Sequence, residues 1–280
     1  MSTRARLARE LGLLLAAVAA LALIGFGLQR LFFSRPVPAP DIPRSLDDGL
    51  KPLMLKQIRA ENRLVEEAAV TEAVAAIMQR LDPAYAAAGR PSIEILVIDS
   101  AVVNAFTVPG GVVCVYSGLM KALAGPEELA AIIAHEMSHA AYRDPLAQLA
   151  RKVGMATLAS ILAGGQGETL AQGLLADLVS LRYGREAEDR ADRFAVEVLA
   201  SAGIDPAGYA RALARIRDSG RKNPGLLRYL DPHSPIDERI SRAEEEAKAA
   251  AAGASTTPTP IAVNWKKLMK ALPTVLEPED

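Results

Sequence analysis

Residues 126–143, "PEELAAIIAHEMSHAAYR", constrain the fold of this chain more than any other stretch. Pro126 suits a first helical turn, and Glu127 and Glu128 suit its positive end. The Asp144-Pro145 pair marks the far boundary. The helix between is apolar and alanine-rich, yet it carries His135, Glu136 and His139. Buried histidines need polar partners, so other elements have to bring partners to this face. The chain has 3 histidines in 280 residues, and two of them stand here.

Positions i and i+4 of a helix lie one above the other. His135 and His139 can therefore point at one ion. Glu136 sits about 100° round the helix from His135, within reach of a water on that ion. Neutral imidazoles hold Zn²⁺ without discharging it, and a nearby carboxylate can take a proton from the bound water. A catalytic zinc takes three protein ligands and keeps one position open. The stretch 184–200, "GREAEDRADRFAVEVLA", offers Glu188 and Asp192, again four apart. One can bind the metal while the other accepts the spare N–H of a ligand histidine, and spacing does not say which. Glu186 and Asp189 face elsewhere and read as solvated helix charge.

The remainder of the chain reads as an α+β domain. Helical spacing runs from about Leu55 to Leu81. "PSIEILVID" (91–99) and "VVCVYS" (112–117) read as strands, and Pro109-Gly110-Gly111 marks a tight turn between them. Residues 146–178 suggest two helices around a glycine-rich loop. A helix over about 180–201 ends near Gly203, and a short one follows over 207–217. "DPHSPIDERISRAEEEAKAAAA" is a turn and then a charged helix. The tail from 261 carries Trp265, Leu268, Met269 and Leu272 on one face, and docking on the domain is its simplest role.

The amino-terminal run 11–28, "LGLLLAAVAALALIGFGL", holds 18 apolar residues after Arg4, Arg6 and Arg9. That nearly spans a bilayer core, and the arginines place the N-terminus in the cytoplasm. An uncleaved transmembrane anchor is expected, with the catalytic domain in the periplasm or otherwise outside. A signal cleaved after "ALA" at 20–22, leaving a soluble periplasmic protein, is the alternative. The expected organisation is an anchor over 1–35 and a proline-rich linker over 36–50. The domain follows over 51–250, then a linker and short amphipathic segment over 251–280. A net charge of −1 excludes a basic field for nucleic acid. The single cysteine, Cys114, excludes an intramolecular disulfide.

Three stretches together resemble the zinc metallopeptidases of the HtpX and CAAX-prenyl-protease family, peptidase family forty-eight of the gluzincin clan, in its BepA-like or Oma-like subgroup. They are "NAFTVPGGVVCVYSGLM", "EELAAIIAHEMSHA" and "REAEDRADRFA". The resemblance covers about residues 90–200, and "DPHSPIDERI" extends it to His233 and Arg239. It implies a mainly helical zincin-type domain with a small sheet or hairpin beside the His-Glu-x-x-His helix. It implies one Zn²⁺ per chain on His135, His139 and Glu188, with Asp192 orienting a ligand histidine and Glu136 as general base. It places His233 near the site, either donating to the oxyanion or plugging the zinc. Arg239 reads as an ion-pair partner. Gluzincin substrates bind as an extended strand, which makes Asn104, Ala105, Phe106, Thr107 and Val108 the expected substrate edge. The chain departs from the family pattern in carrying Gly184-Arg185 for Ser-Arg, Arg190 for Glu, and Arg143-Asp144 for Arg-His. None of these removes a ligand or the base.

The expected function is a membrane-anchored zinc endopeptidase acting on polypeptide substrates, with misfolded or misassembled envelope proteins implied by the family analogy. Two rivals remain. One is a non-catalytic zinc-binding chaperone or assembly factor that holds clients on the 104–111 strand edge, and the other is an exopeptidase. Oligomeric state is not legible in the sequence.

Overall fold

The computed structural model describes residues 42–87, 92–163, 173–176, 178–179, 183–222, 236–253 and 257–273. The apolar run 11–28, the loop at 164–168 and His233 lie outside the described residues. Among the described residues no helix is long and apolar enough to cross a membrane. Those from Pro43 onward belong to one compact unit.

Two helices lead in: α1 (Arg44–Glu61) and α2 (Ala68–Ala87). Helix α1 begins inside the stretch 36–50 that its prolines suggested was linker. The reason is a four-residue apolar rhythm: Leu46, Leu50, Met54 and Ile58 are all buried. Pro43 stands just before the first turn, where a missing N–H costs nothing.

A three-stranded sheet follows, made of β1 (Glu94–Ile98), β2 (Ala105–Val108) and β3 (Val112–Tyr116). Its order is β1-β3-β2. Strand β1 runs parallel to β3, with Glu94 beside Val112 and Ile98 beside Tyr116. Strand β2 pairs antiparallel with β3, Ala105 opposite Val115 and Val108 opposite Val112. Every residue of β3 is buried, as befits a central strand with both faces covered. The β2–β3 turn needs glycine, since Gly110 and Gly111 have φ of 87° and 74°.

Helix α3 (Ser117–Ala122) leads to α4 (Pro126–Ala141), the helix that carries the histidines. Every residue of α4 from Glu128 to Ala140 is buried. A helix apolar all round belongs in the centre of a domain. It packs between the β2–β3 pair and three helices, α2, α7 (Arg185–Ser201) and α8 (Gly208–Lys222). Between α4 and α7 lie α5 (Asp144–Val153) and α6 (Met155–Leu162). The break between them falls at Gly154, whose φ of 84° suits glycine.

Helix α7 starts at Arg185 and ends as its sequence suggests. Gly203 turns left-handed at φ 64°, and Ile204 N–H reaches back to the Leu199 carbonyl at 2.9 Å. Helix α9 (Ile236–Gly253) packs on α7 and α8. The tail docks on the domain. Arg80 donates to the Gly203 carbonyl and to Thr259 Oγ1, and Glu127 accepts from Ile261 N–H at 2.9 Å. Helix α10 (Trp265–Ala271) then buries Leu268 against α2.

Candidate metal centre

Successive turns of α4 bring His135 and His139 side by side, with Nε2 atoms 3.2 Å apart. Helix α7 crosses them and supplies Glu188. One of its carboxylate oxygens lies 3.6 Å from His135 Nε2 and the other 3.7 Å from His139 Nε2. All three side chains are fully buried.

The outer nitrogens fix the tautomers. His139 Nδ1 lies 2.9 Å from Asp144 Oδ2, a pure acceptor, so Nδ1 carries the proton and Nε2 turns a lone pair inward. Tyr209 donates its hydroxyl proton to Asp192 Oδ1 at 2.6 Å. His135 Nδ1 lies 2.9 Å from that hydroxyl and 3.2 Å from Asp192 Oδ1, so it too carries its proton. As neutral imidazoles the two histidines thus present two lone pairs, with a carboxylate, to one point, an arrangement that a metal cation would stabilise. Ligand atoms around a tetrahedral zinc are about 3.4 Å apart, given bonds of about 2.0–2.2 Å. The histidine nitrogens, 3.2 Å apart, are at about that separation, and with one Glu188 oxygen the three ligand atoms all lie within 4.8 Å of one another, a cluster able to hold a metal ion.

Asp192 sits behind His135, its Oδ1 3.2 Å from Nδ1. Arg239 of α9, fully buried, donates from Nη2 to Asp192 Oδ1 at 2.7 Å and from Nε to Oδ2 at 3.0 Å. It also donates to Tyr209 Oη at 2.6 Å. Burial pushes the Asp192 carboxyl up, but the Arg239 charge and the His135 bond outweigh it and hold the group well below the usual carboxylate range. Burial lowers His135, and the nearby Arg239 charge adds to that against Asp192. Burial also pulls His139 down, but Asp144, Glu188 and Glu136 raise it on balance. The negative charge crowded around His139 is what a divalent cation would neutralise.

Glu136 points toward β2. Thr107 Oγ1 lies 2.8 Å from its Oε2 and 3.0 Å from its main-chain oxygen. Among the described residues its Oε1 has no hydrogen-bond partner, although it is buried. The Tyr183 ring stacks on His139 at 4.1 Å. Burial, and then the carboxylates of Glu136, Asp144 and Glu188, push its hydroxyl well above the ordinary value, so it stays a donor.

The strand expected to hold substrate is on the sheet's outer edge beside α4, but Asn104, Ala105, Phe106, Thr107 and Val108 are all buried. Thr107 alone among them bonds to Glu136. Phe106 packs on Tyr116, and Ala105 joins the core. Glu186 is exposed, as solvated helix charge should be, whereas Asp189 is half-buried and pairs with Arg242 at 2.6 Å. Tyr209, Tyr183 and the role of Asp144 escaped the sequence reading. Tyrosine spacing carries no motif, and Asp144 read only as a helix boundary.

The model of peptidase family M48 matches residues 68–247, more than half of the chain. The chain is 30% identical over 216 residues to the beta-barrel assembly-enhancing protease of Yersinia pestis, covering 69% of this chain and 42% of that protein. It is 33% identical over 113 residues to the mitochondrial metalloendopeptidase OMA1 of Arabidopsis thaliana, covering 40% of this chain and 23% of that one. A protease HtpX homolog of Acidiphilium cryptum is 31% identical over 217 residues, covering 61% of this chain and 74% of its own length. The chain thus spans less than half the length of the first two relatives. Sequence match and site geometry agree: the chain belongs to peptidase family M48.

Proposed function

We propose that this protein is a zinc-dependent endopeptidase that cuts polypeptides within the chain. The observation that carries this is the meeting of His135, His139 and Glu188 at one buried point, with the Glu136 carboxylate on the same helix. Zinc held there would supply Lewis acidity to the attacking water and the scissile carbonyl.

Glu136 accepts the proton that the water loses and returns it to the departing nitrogen, so the carboxylate ends as it began. Thr107 holds one of its oxygens and leaves Oε1 for the proton. Asp192, Tyr209 and Arg239 keep His135 in the tautomer that a ligand needs. Tyr183, a neutral hydroxyl beside His139, and His233 are the candidate donors to the oxyanion. Substrate lies extended along β2, which requires that the cover over this strand open first.

In this reading residues 11–28 anchor the chain in the cytoplasmic membrane, and residues 36–280 face the periplasm, where misfolded or misassembled envelope proteins are the substrate class. A soluble periplasmic form after signal cleavage is the alternative. The test is casein digestion by the purified full chain, with zinc measured on the same samples. Wild type should produce internal cuts, and Glu136→Gln should keep its zinc and lose cleavage by about 10²-fold or more. His233→Ala is assayed alongside: lower activity marks a donor, higher activity a plug. Zinc-loaded wild type and His233→Ala that both leave casein intact would favour the holding function instead.

A further inference from the structure

The two ligand histidines are supported differently. Behind His135 stands a closed network of Asp192, Tyr209 and Arg239. Behind His139 stands Asp144, the first residue of α5. Its Oδ2 takes the Nδ1 proton at 2.9 Å. Arg190 Nη2 in turn reaches both Asp144 oxygens, at 2.8 and 2.6 Å. The Arg190 guanidinium lies over the Tyr142 ring, 4.0 Å from its centre.

These contacts join three elements around one imidazole. Tyr142 caps α4, Asp144 opens α5, and Arg190 lies on α7 two residues after Glu188. Arg143, between Tyr142 and Asp144, is the one described non-glycine residue with positive φ, at 57°. That turn is what aims Asp144 back at the helix just ended. Both Asp144 and Arg190 depart from the pattern the chain resembles, which has histidine and glutamate there. The two departures meet, and together they form an ion pair of opposite sense.

We propose that Asp144 is a positioning residue for His139, held in place by Arg190, and that this pair tunes how tightly the centre holds its metal. The inference rests on the zinc reading above. A carboxylate behind an imidazole fixes the ring's orientation and raises its strength as a ligand. Arg190 stops Asp144 from rotating away. Its own stacking on Tyr142 limits its freedom.

The experiment measures zinc affinity on the full chain, stripped by chelator and refilled in competition with a fluorescent zinc chelator. Thermal midpoints of the metal-free proteins are measured beside it. Asp144→Ala should bind zinc about 10–100-fold more weakly than wild type. Asp144→Asn, whose amide oxygen still accepts from Nδ1, should recover part of that loss. Arg190→Gln should weaken binding less than Asp144→Ala, and it carries the test if the alanine variant does not fold. Any fall in the metal-free midpoints should be too small to account for the loss of affinity, and should not rank the variants in the same order, because the pair acts on the ligand as well as joining three elements. Affinities within twofold of wild type would overturn the proposal. So would a loss of affinity that tracks a loss of metal-free stability. Wild type that takes up no zinc at all would sink the zinc reading itself, and this inference with it.

Discussion

Arg239 shows how much one side chain can be asked to do. It is fully buried, and it answers Asp192 with two hydrogen bonds and Tyr209 with one. Its Nη1 also lies 3.7 Å from Glu188. A lone buried charge is costly, and here the guanidinium charge is offset by the Asp192 carboxylate it bonds and by Glu188 nearby. Nothing in the sequence around Arg239 says which carboxylate it meets. His135 and His139 were legible because i, i+4 geometry acts within one helix; metal chemistry demands a third donor, but only the family resemblance singles out Glu188 over Asp192. Tyr209 was not legible, because a tyrosine 74 residues along the chain from His135 bears no local mark of its partner. Glu246 is a neighbouring residue with the opposite problem. Burial raises its pKa, with Arg193 lowering it and Asp192 raising it in turn. Its Oε2 has no hydrogen-bond partner among the described residues. A carboxyl whose folded pKa is raised contributes its stability below the unfolded value of about 4.3 and loses it as pH climbs through the folded value. Glu246→Gln should therefore raise the thermal midpoint at pH 7, and the gain should vanish near pH 4. An unchanged midpoint at pH 7 would show that the group is solvated in solution.

At the scale of elements, the joint between α1 and the metal helix is the least expected. Asp47 of α1 accepts from Arg143 Nε and, at 3.2 Å, from Gly110 N–H in the β2–β3 turn. Arg143 also donates to the Pro43 carbonyl at 2.9 Å. One carboxylate thus ties the entry helix to the end of α4 and to the hairpin beside Glu136. Proline content hid this from the sequence reading, since four prolines before the helix outweighed a buried rhythm that begins only at Leu46. Strands β1 and β3 were easier, because β-branched runs carry their own signal, whereas β2 lies in the stretch whose Pro-Gly-Gly read only as a turn. The sheet order was not, since the parallel pairing of β1 with β3 depends on the path of the whole chain. Asp47→Ala should cost about 1–2 kcal/mol in denaturant unfolding, the worth of charge-assisted bonds that are partly exposed. A loss below 0.3 kcal/mol, as for an ordinary surface residue, would leave the joint without an energetic role (about ±0.5 kcal/mol is usual there).

For the whole molecule, the metal centre is where the core closes. Helix α4 lies in the middle of the described fold, α7 crosses it, and the two contribute all three converging side chains. Sheet and helices cover α4 on every side, so the ligands are set by the same packing that makes the core. That is why an α+β architecture could be read from the order of elements, while the burial of Asn104–Val108 could not. A strand's edge is visible in its sequence, but what lies over it is not. The central claim is that His135, His139 and Glu188 hold one zinc ion between two helices. Zinc per chain, measured by elemental analysis on purified wild type and Glu188→Ala, tests it most directly. The account predicts one zinc in wild type and less than a tenth of that in Glu188→Ala. Equal zinc in both proteins, or none in wild type, would contradict it.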